Sequence, residues 1–450
     1  MAVSREIGLE PEHIIDFSLN VNPYGPPKKV YDALAANMRV VKLYPNRSYS
    51  DLKRAVATSI KVDADSVIVG CGATELIHSL LTRFVSKGPV VIPLPTFSEY
   101  EAAVKALALR FRFIKPDGVR VDMGSVRKAI LQGKARCVVL CNPNNPTGEL
   151  FDPGLMEELL ALSSDRGVNL MVDEAFLDLA DAKPADSLVE RTKDHRNLFV
   201  LRSLTKPFGF PGLRVGYAVC HKEMAAVFES TAISWRVGVL EERAAVAALE
   251  DQGFLESSRE RIQREKVLLQ RSLRNIEGLK VLDSRANFFL IDVSGTKSAP
   301  ENLRWRLLSY GVLVRDLTDV RGLPSKYIRV CVRRREENAL LLRALRNVLM
   351  AFSKVYSNSS RCDQRPCHFA GQDCRFCFCP FYPCLDNLTG GGFVASEEGG
   401  RVWGCKGCIW IHRSDVANLV AKLLARANIR SSDPKRVLSV RKSVLDVYKP

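Results

Sequence analysis

Ser203-Leu204-Thr205-Lys206-Pro207-Phe208-Gly209-Phe210-Pro211-Gly212-Leu213-Arg214 follows directly on the apolar run Phe199-Val200-Leu201. A short apolar run reads as a buried strand, and the Gly/Pro-rich stretch after it as a loop at its carboxyl end. Two segments upstream share this form. Val172-Asp173-Glu174-Ala175-Phe176 closes the run Leu170-Met171-Val172-Asp173, and Cys141-Asn142-Pro143-Asn144-Asn145-Pro146-Thr147-Gly148 closes Cys137-Val138-Val139-Leu140. Ser66–Gly70 and Val90–Pro93 are further strand candidates, and helical patterns such as Thr74–Val85 and Pro153–Asp165 lie between the runs. Strand-helix alternation of this kind predicts a mostly parallel α/β sheet. Its ligands bind beyond the carboxyl ends of the strands, where each of these motifs falls.

A lysine, an aspartate at a strand end, neighbouring hydroxyls and an arginine, in this order, match the needs of a pyridoxal phosphate enzyme. Lys206 can attach the aldehyde. Asp173 can hold the pyridine nitrogen protonated so that the ring takes up electrons. Ser203, Thr205 and Arg214 can hold the phosphate, and so can the backbone N–H groups of Gly72-Ala73-Thr74, which open a helix after the 66–70 strand.

The chain has 450 residues and a formal net charge of +16. That length predicts two or three domains. The charge suits nucleic acid or an acidic membrane, and equally a doubly anionic substrate. The sequence contains no strong nucleic-acid motif and no apolar run of membrane-spanning length, and Met1–Glu6 lacks an apolar signal-peptide core. Neither a membrane nor a nucleic-acid partner is therefore expected, and a cytoplasmic protein is.

Residues 1–30 read as an extended arm, Pro and Gly opposing a helix, within an N-terminal segment 1–45. A large cofactor-binding domain is expected over 46–235 and a smaller α/β domain over 236–352. A long helical stretch from Leu240 to Ile276 opens the smaller domain. Gly278–Leu282, Asn287–Asp292, Gly311–Val314 and Ile328–Val332 are its strand candidates. A Ser-rich linker (353–361) leads to a Cys-rich module (362–412), and the helix and basic tail follow (413–450). Ser414–Ala427 reads as a capped amphipathic helix, whereas the last twenty residues are basic enough to be disordered.

Of the thirteen cysteines, Cys71, Cys137, Cys141, Cys220 and Cys331 adjoin strand-like runs and read as buried, inert thiols. The other eight are Cys362, Cys367, Cys374, Cys377, Cys379, Cys384, Cys405 and Cys408. In a reducing compartment such density points to metal rather than disulfides. Cys374-x2-Cys377 and Cys405-x2-Cys408 can each clamp one ion. The set, with His368 and His412, suits zinc or an iron–sulfur cluster, and spacing does not choose between them.

Over about residues 10–350 the motifs resemble those of fold-type-I pyridoxal phosphate enzymes. The most similar branch comprises histidinol-phosphate aminotransferase and the threonine-phosphate decarboxylase of cobalamin synthesis. Asp16-Phe17-Ser18-Leu19-Asn20-Val21-Asn22-Pro23 and Asp173-Glu174-Ala175-Phe176 are more similar to the decarboxylase; the aminotransferases usually carry Tyr where this chain has Phe176. The Cys-rich tail resembles a small domain fused to archaeal threonine-phosphate decarboxylases. The resemblance implies an α/β fold-type-I transferase, with a large mostly parallel sheet domain, a smaller α/β domain and the Cys-rich metal module, acting as a homodimer.

It also implies roles. Lys206 would carry the cofactor and shuttle the proton. Asp173 would pair with the pyridine nitrogen. Asn145 would donate to the phenolic oxygen and Phe97 stack on the ring. Gly72, Ala73, Thr74, Ser203, Thr205 and Arg214 would form the phosphate cup, with Tyr44 reaching it from the other subunit. Arg329 would bind the substrate carboxylate and Arg315 its phosphate, assisted by Arg333 and Asn22. The implied activity is decarboxylation of O-phospho-L-threonine, a phosphorylated amino acid, to (R)-1-aminopropan-2-ol phosphate for cobamide synthesis. The rival enzyme reading is histidinol-phosphate transamination. A rival of another class is a regulator with a nucleic-acid-binding tail, whose recognition helix the sequence lacks. For the tail itself the candidates are structural docking, redox sensing or an adjacent step such as threonine phosphorylation.

Overall fold

The computed structural model describes residues 14–354 apart from 86–87, 297–298 and 309, and beyond them 389, 392–395, 401–404, 409–426 and 434–448. Numbering strands from β1 (Ile15–Asp16) in the arm, the main sheet comprises β2 (Val67–Gly70), β3 (Val90–Pro93), β4 (Phe111–Ile114), β5 (Cys137–Cys141), β6 (Asn169–Asp173), β7 (Leu198–Ser203) and β8 (Gly216–Cys220). Their order is β2-β8-β7-β6-β5-β3-β4. All neighbours are parallel except β8, which runs against both β7 and β2. Successive residues of each strand enter different cores. Val138, Leu170, Val172 and Val200 belong to one and Val139, Met171, Phe199 and Leu201 to the other. A sheet covered on both faces needs such continuous apolar runs, and that made β2, β3, β5, β6 and β7 legible. The edge strand β4 and the antiparallel β8 lie outside the sequence reading. Phe111-Arg112-Phe113 alternates with a charge, and Gly216–Cys220 follows the lysine loop too closely for a crossover helix.

The smaller sheet is antiparallel, in the order β12-β13-β10-β9, from β9 (Lys280–Val281), β10 (Phe288–Asp292), β12 (Arg315–Asp316) and β13 (Tyr327–Cys331). The expected strand Gly311–Val314 is instead β11 (Val312–Leu313), paired in parallel with β1. The chain then shifts sheets, so that Arg315 lies opposite Arg329.

Two expectations are corrected. Within the described residues the arm is non-helical only as far as Pro27, after which Lys28–Asn37 is helical; Pro at a helix start costs nothing, because the first N–H groups have no intrahelical partner. The stretch Leu240–Ile276 is two helices, Val239–Leu249 and Gln252–Arg274, parted at Glu250-Asp251. The break lets Ala244, Ala245 and Ala248 face the large core while Ile262, Leu269 and Leu273 face the small one.

Among the described residues no helix is long and apolar enough to cross a membrane. The helix Ser414–Arg426 forms as expected. The last twenty residues are not wholly irregular, since Pro434–Val447 is a second helix. The two helices share a core of Trp410, Ile411, Val416, Val420, Val440 and Val444, and the second also rests against the small-domain helix Pro300–Leu308. Ahead of them, β14 (Gly392–Ala395) and β15 (Arg401–Gly404) form an antiparallel pair. The eight clustered cysteines lie outside the described residues. Of the other five, Cys137, Cys141, Cys220 and Cys331 are buried, whereas Cys71 is partly exposed, being at the open start of a helix rather than inside a strand.

One buried charge network fixes the loop after β6. Arg202 of β7 donates to Glu174 (2.9 Å) and Asp178 (2.6 Å), and Glu174 has no solvent exposure. Glu174 also accepts from the Leu188 N–H at 2.9 Å. Arg202→Met leaves these carboxylates without their countercharge, and breaking a buried pair from one side costs about 3–5 kcal/mol. Urea unfolding monitored by circular dichroism should show a loss of that size; an unchanged midpoint would refute the network's role.

Candidate active site

The parallel strands end on one edge of the sheet, at Gly70, Pro93, Cys141, Asp173 and Ser203. Gly216 stands between Gly70 and Ser203. A Cβ on Gly216 would come within 2.8 Å of the Ala73 nitrogen, so only glycine lets β8 approach the start of the helix Gly72–Phe84. Gly72 has φ +77°, and a Cβ there would meet the Arg214 guanidinium at 2.7 Å. Arg214 therefore lies against the opening of this helix. Beside it the Ser203 and Thr205 hydroxyls are 2.8 Å apart. Free helix N–H groups, two hydroxyls and a guanidinium on one edge make a cradle for a dianionic phosphate.

Asp173 is buried. Its Oδ2 accepts from the Tyr100 hydroxyl at 2.7 Å and its Oδ1 from the Ala175 N–H at 3.0 Å. Burial raises its pKa, with these two hydrogen bonds acting the other way. A buried carboxylate held by neutral donors still lacks a full countercharge, and a protonated pyridine nitrogen is a fitting one. Tyr100 is absent from the sequence reading. It is fully buried one helical turn after Phe97, in a position that reads as plain core; its signal is a hydroxyl on an otherwise apolar face, since a buried Tyr needs a partner. Phe97 itself is half-buried, its ring edge-on to Tyr100 with centroids 5.7 Å apart.

Lys206 lies in the loop after β7. Burial lowers its pKa below the ordinary 10.5, and the charges of Arg214 and Arg329 add to the effect, with Asp173 opposing. A lysine so perturbed holds more of the neutral amine that attacks a carbonyl. The arm fixes the loop from behind: the Asn22 N–H donates to the Lys206 carbonyl at 2.9 Å and the Asn22 amide to the Pro207 carbonyl at 2.8 Å. The side chain of Asn22 thus braces the lysine loop.

On the opposite wall Arg329 donates to Asn145 Oδ1 and to the Ser18 carbonyl. That contact leaves the Asn145 amide nitrogen free to donate elsewhere. Arg329 Nε is buried without a partner, as is Asn20 Oδ1, and burial brings the Arg329 pKa down to about 10. Its guanidinium lies 5.4 Å from the Phe288 ring, which meets Phe176 edge-on at 5.3 Å. Arg315, across the strand pair, is engaged with both oxygens of Asp319 (2.7 and 2.8 Å) and is half-exposed. Arg333 is held by Glu337 and the Asp16 carbonyl. Tyr44 is 79% exposed, its ring 4.7 Å from that of Trp235. The expected residues thus divide into a group at the sheet edge, a second group on the small domain, and an exposed aromatic.

Residues 12–345 match the family of class I and II aminotransferases, and residues 353–433 match a cysteine-rich small domain. A histidinol-phosphate aminotransferase of Archaeoglobus fulgidus is 34% identical over 76% of this chain and 96% of its own length. A threonine-phosphate decarboxylase of Salmonella typhimurium is 32% identical over 76% and 93%. Among solved structures, L-threonine-O-3-phosphate decarboxylase from Porphyromonas gingivalis superposes with a TM-score of 0.68 at 25% identity, over 75% of this chain and all of that one. Histidinol-phosphate aminotransferase from Clostridium acetobutylicum gives 0.70 at 27%, with the same coverage.

The lowered Lys206 pKa has a measurable sign. Its contribution to stability is fully present above the unfolded value of 10.5 and is lost as pH falls through the folded value. In cofactor-free protein, the stability difference between wild type and Lys206→Met should move against wild type as pH falls through that window. Thermal unfolding at a series of alkaline pH values tests this; a difference that ignores pH would contradict it.

Proposed function

The chain belongs to the class I and II aminotransferase family, and from that premise we propose that it decarboxylates O-phospho-L-threonine to (R)-1-aminopropan-2-ol phosphate, a step toward cobamides. The observation that carries this reading is the pair Arg315 and Arg329, opposite each other on adjacent strands, with Arg329 Nε buried and unpartnered. Side chains at such cross-strand positions project from one face with Cβ atoms about 5 Å apart. Two adjacent guanidiniums suit a compact substrate bearing both a carboxylate and a phosphate. Histidinol phosphate has no carboxylate, although the 2-oxoglutarate of that reaction has two; what favours the decarboxylase further is Phe176, where aminotransferases usually carry Tyr.

Pyridoxal phosphate, when bound, supplies an electron sink for the bond broken at the substrate α-carbon. The residues do the rest. Gly72, Ala73, Thr74, Ser203, Thr205 and Arg214 would hold the phosphate, and Asp173 would keep the proton on the pyridine nitrogen. Asn145 would donate to the phenolic oxygen, while Phe97 would cover the ring. Phe176 has no hydroxyl to add a second donor there. Arg329 grips the carboxylate and orients the bond to it; Arg315 turns from Asp319 to the substrate phosphate, with Arg333 and Asn22 shaping that end. Lys206, as the ammonium, would deliver a proton to the α-carbon in place of the departed CO2.

Family members typically act as homodimers. Exposed Tyr31, Met38, Val41, Leu43 and Tyr44, with Ile233 and Trp235, support a second copy on this face; Tyr44 then serves the partner's phosphate cup. The Cys-rich module is proposed to hold zinc or an iron–sulfur cluster. Cys405-x2-Cys408 follows β15 directly, as a metal clamp after a hairpin does.

Product analysis decides the activity. The purified enzyme given O-phospho-L-threonine should release CO2, and given histidinol phosphate with 2-oxoglutarate should form no glutamate; the reverse result would establish the aminotransferase. Lys206→Ala should abolish turnover. Arg329→Ala should lose about 2–5 kcal/mol in kcat/KM for phosphothreonine while binding phosphoethanolamine, which lacks the carboxylate, as wild type does.

The metal is tested separately. Anaerobically purified full-length protein should contain iron with acid-labile sulfide, or zinc. Cys374→Ser and Cys405→Ser should lower the metal content and leave bound pyridoxal phosphate unchanged. Protein with neither metal would end the proposal.

A further inference from the structure

Tyr44 and Trp235 form a pair within one chain. Their ring planes are 34° from parallel at a centroid separation of 4.7 Å, within the range in which aromatic rings attract. Tyr44 lies between the 3-10 turn Met38–Lys42 and the helix Ser50–Ile60, and Trp235 between the helices Lys222–Thr231 and Val239–Leu249.

Both segments are tied down behind these rings. Tyr49 is fully buried, and its hydroxyl accepts from the Val237 N–H at 3.0 Å. The Arg236 guanidinium donates to the Val69 carbonyl and to both oxygens of Glu229, at 2.7 and 2.9 Å. Pro45 restricts the backbone of Tyr44 to extended conformations. What remains to be set is the direction of the Tyr44 side chain.

Trp235 has φ +58°. The left-handed region is unfavourable for any residue with a Cβ, and more so for a bulky one. Little burial is gained in return, since Trp235 stays half-exposed. With Arg236 and Val237 held inward, the left-handed turn places the indole against Tyr44. Strain kept at a residue the core does not need belongs to functional sites more often than to scaffolds. Val41, Leu43 and Ile233, close by in sequence, are exposed as well. A hydroxyl that must meet a phosphate in another subunit binds best when its direction is set beforehand, because an unfixed side chain loses entropy on contact.

We propose that Trp235 is a positioning residue for the partner subunit's site: its indole fixes the Tyr44 ring in the direction from which the Tyr44 hydroxyl meets the cofactor phosphate held by the other copy. This rests on the reading that Tyr44 serves the partner's phosphate cup, and adds which residue directs the tyrosine.

The test reads cofactor affinity rather than turnover. Holoenzyme is titrated with pyridoxal phosphate, and occupancy is counted as cofactor fixed to Lys206 by borohydride. Trp235→Gly keeps the left-handed backbone, which glycine adopts freely, and removes only the ring. Its Kd for the cofactor should rise about tenfold, the scale of one charge-assisted hydrogen bond. Trp235→Phe, which retains a ring, should keep most of the affinity. In a Tyr44→Phe background Trp235→Gly should cost nothing further, because the hydroxyl it directs is gone. A merely structural role would cost the same in both backgrounds. Mixed dimers then give the direction. One subunit carries Lys206→Ala and cannot fix cofactor; the other carries Trp235→Gly. If Trp235 acts across the interface, the one countable site is served by the intact Trp235 of the Lys206→Ala subunit and binds as wild type does. Weak binding there, equal to that of the Trp235→Gly homodimer, would overturn the proposal, as would wild-type affinity in that homodimer or additive losses with Tyr44→Phe. Sedimentation velocity separates the underlying reading: a wild-type monomer that fixes cofactor would end the shared site itself, whereas a dimer with any of the adverse results ends only the role of Trp235.

Discussion

The backbone of the arm between Asp16 and Asn22 is the constraint on which the rest of the site depends. Its residues are joined to both halves of the molecule. The Phe17 N–H donates to the Leu313 carbonyl at 2.7 Å and the Cys331 N–H to the Phe17 carbonyl at 2.9 Å. Arg329 takes the Ser18 carbonyl at 2.7 Å, and five residues after Phe17 the Asn22 N–H reaches Lys206. A buried backbone group must find a partner, and here the partners belong to different sheets. The small-domain guanidinium and the loop lysine are therefore held in fixed relation by one short segment of the arm, which Phe17 anchors without solvent exposure.

That dependence explains what could be read in advance. β2, β3, β5, β6 and β7 are buried on both faces, so their side chains must be apolar throughout, and the loops at their ends stand out against them. Lys206, Asp173 and the Gly72 helix start were legible for this reason. Contacts between distant segments were not. Nothing in Pro95-Thr96-Phe97-Ser98-Glu99-Tyr100 says that the second aromatic meets Asp173, because the partner is 73 residues away. The engagement of Arg315 with Asp319 is equally silent: a cation beside an acid four residues on is common on any surface. The broken helix at Glu250-Asp251 was hidden by a periodicity that continues across the break while changing the core it serves.

The carboxyl-terminal region shows the same limit from the other side. Its cysteine spacing is conspicuous, yet what the structure adds is the apolar hairpin beyond it. Val440 and Val444 sit at helical spacing within a strongly basic stretch, and they become visible as a core only against Val416 and Val420. Through the helix Pro434–Val447 this end of the chain touches Pro300–Leu308, which leads into β11 and Arg315.

The loop after β6 has one more implication. Its course from Asp173 to Asp178 is determined by Arg202 and by backbone contacts to Leu188 and Leu201, none of which involves the ring of Phe176. Position 176 enters that course through packing, its ring meeting Phe288 edge-on. The packing of one ring and the hydrogen bonds that set the chain path are thus separable parts of the same six-residue turn. A scaffold built this way can diverge in reaction while preserving length, topology and overall similarity, and relatives bearing two different activities in their names can then lie equally near to one sequence.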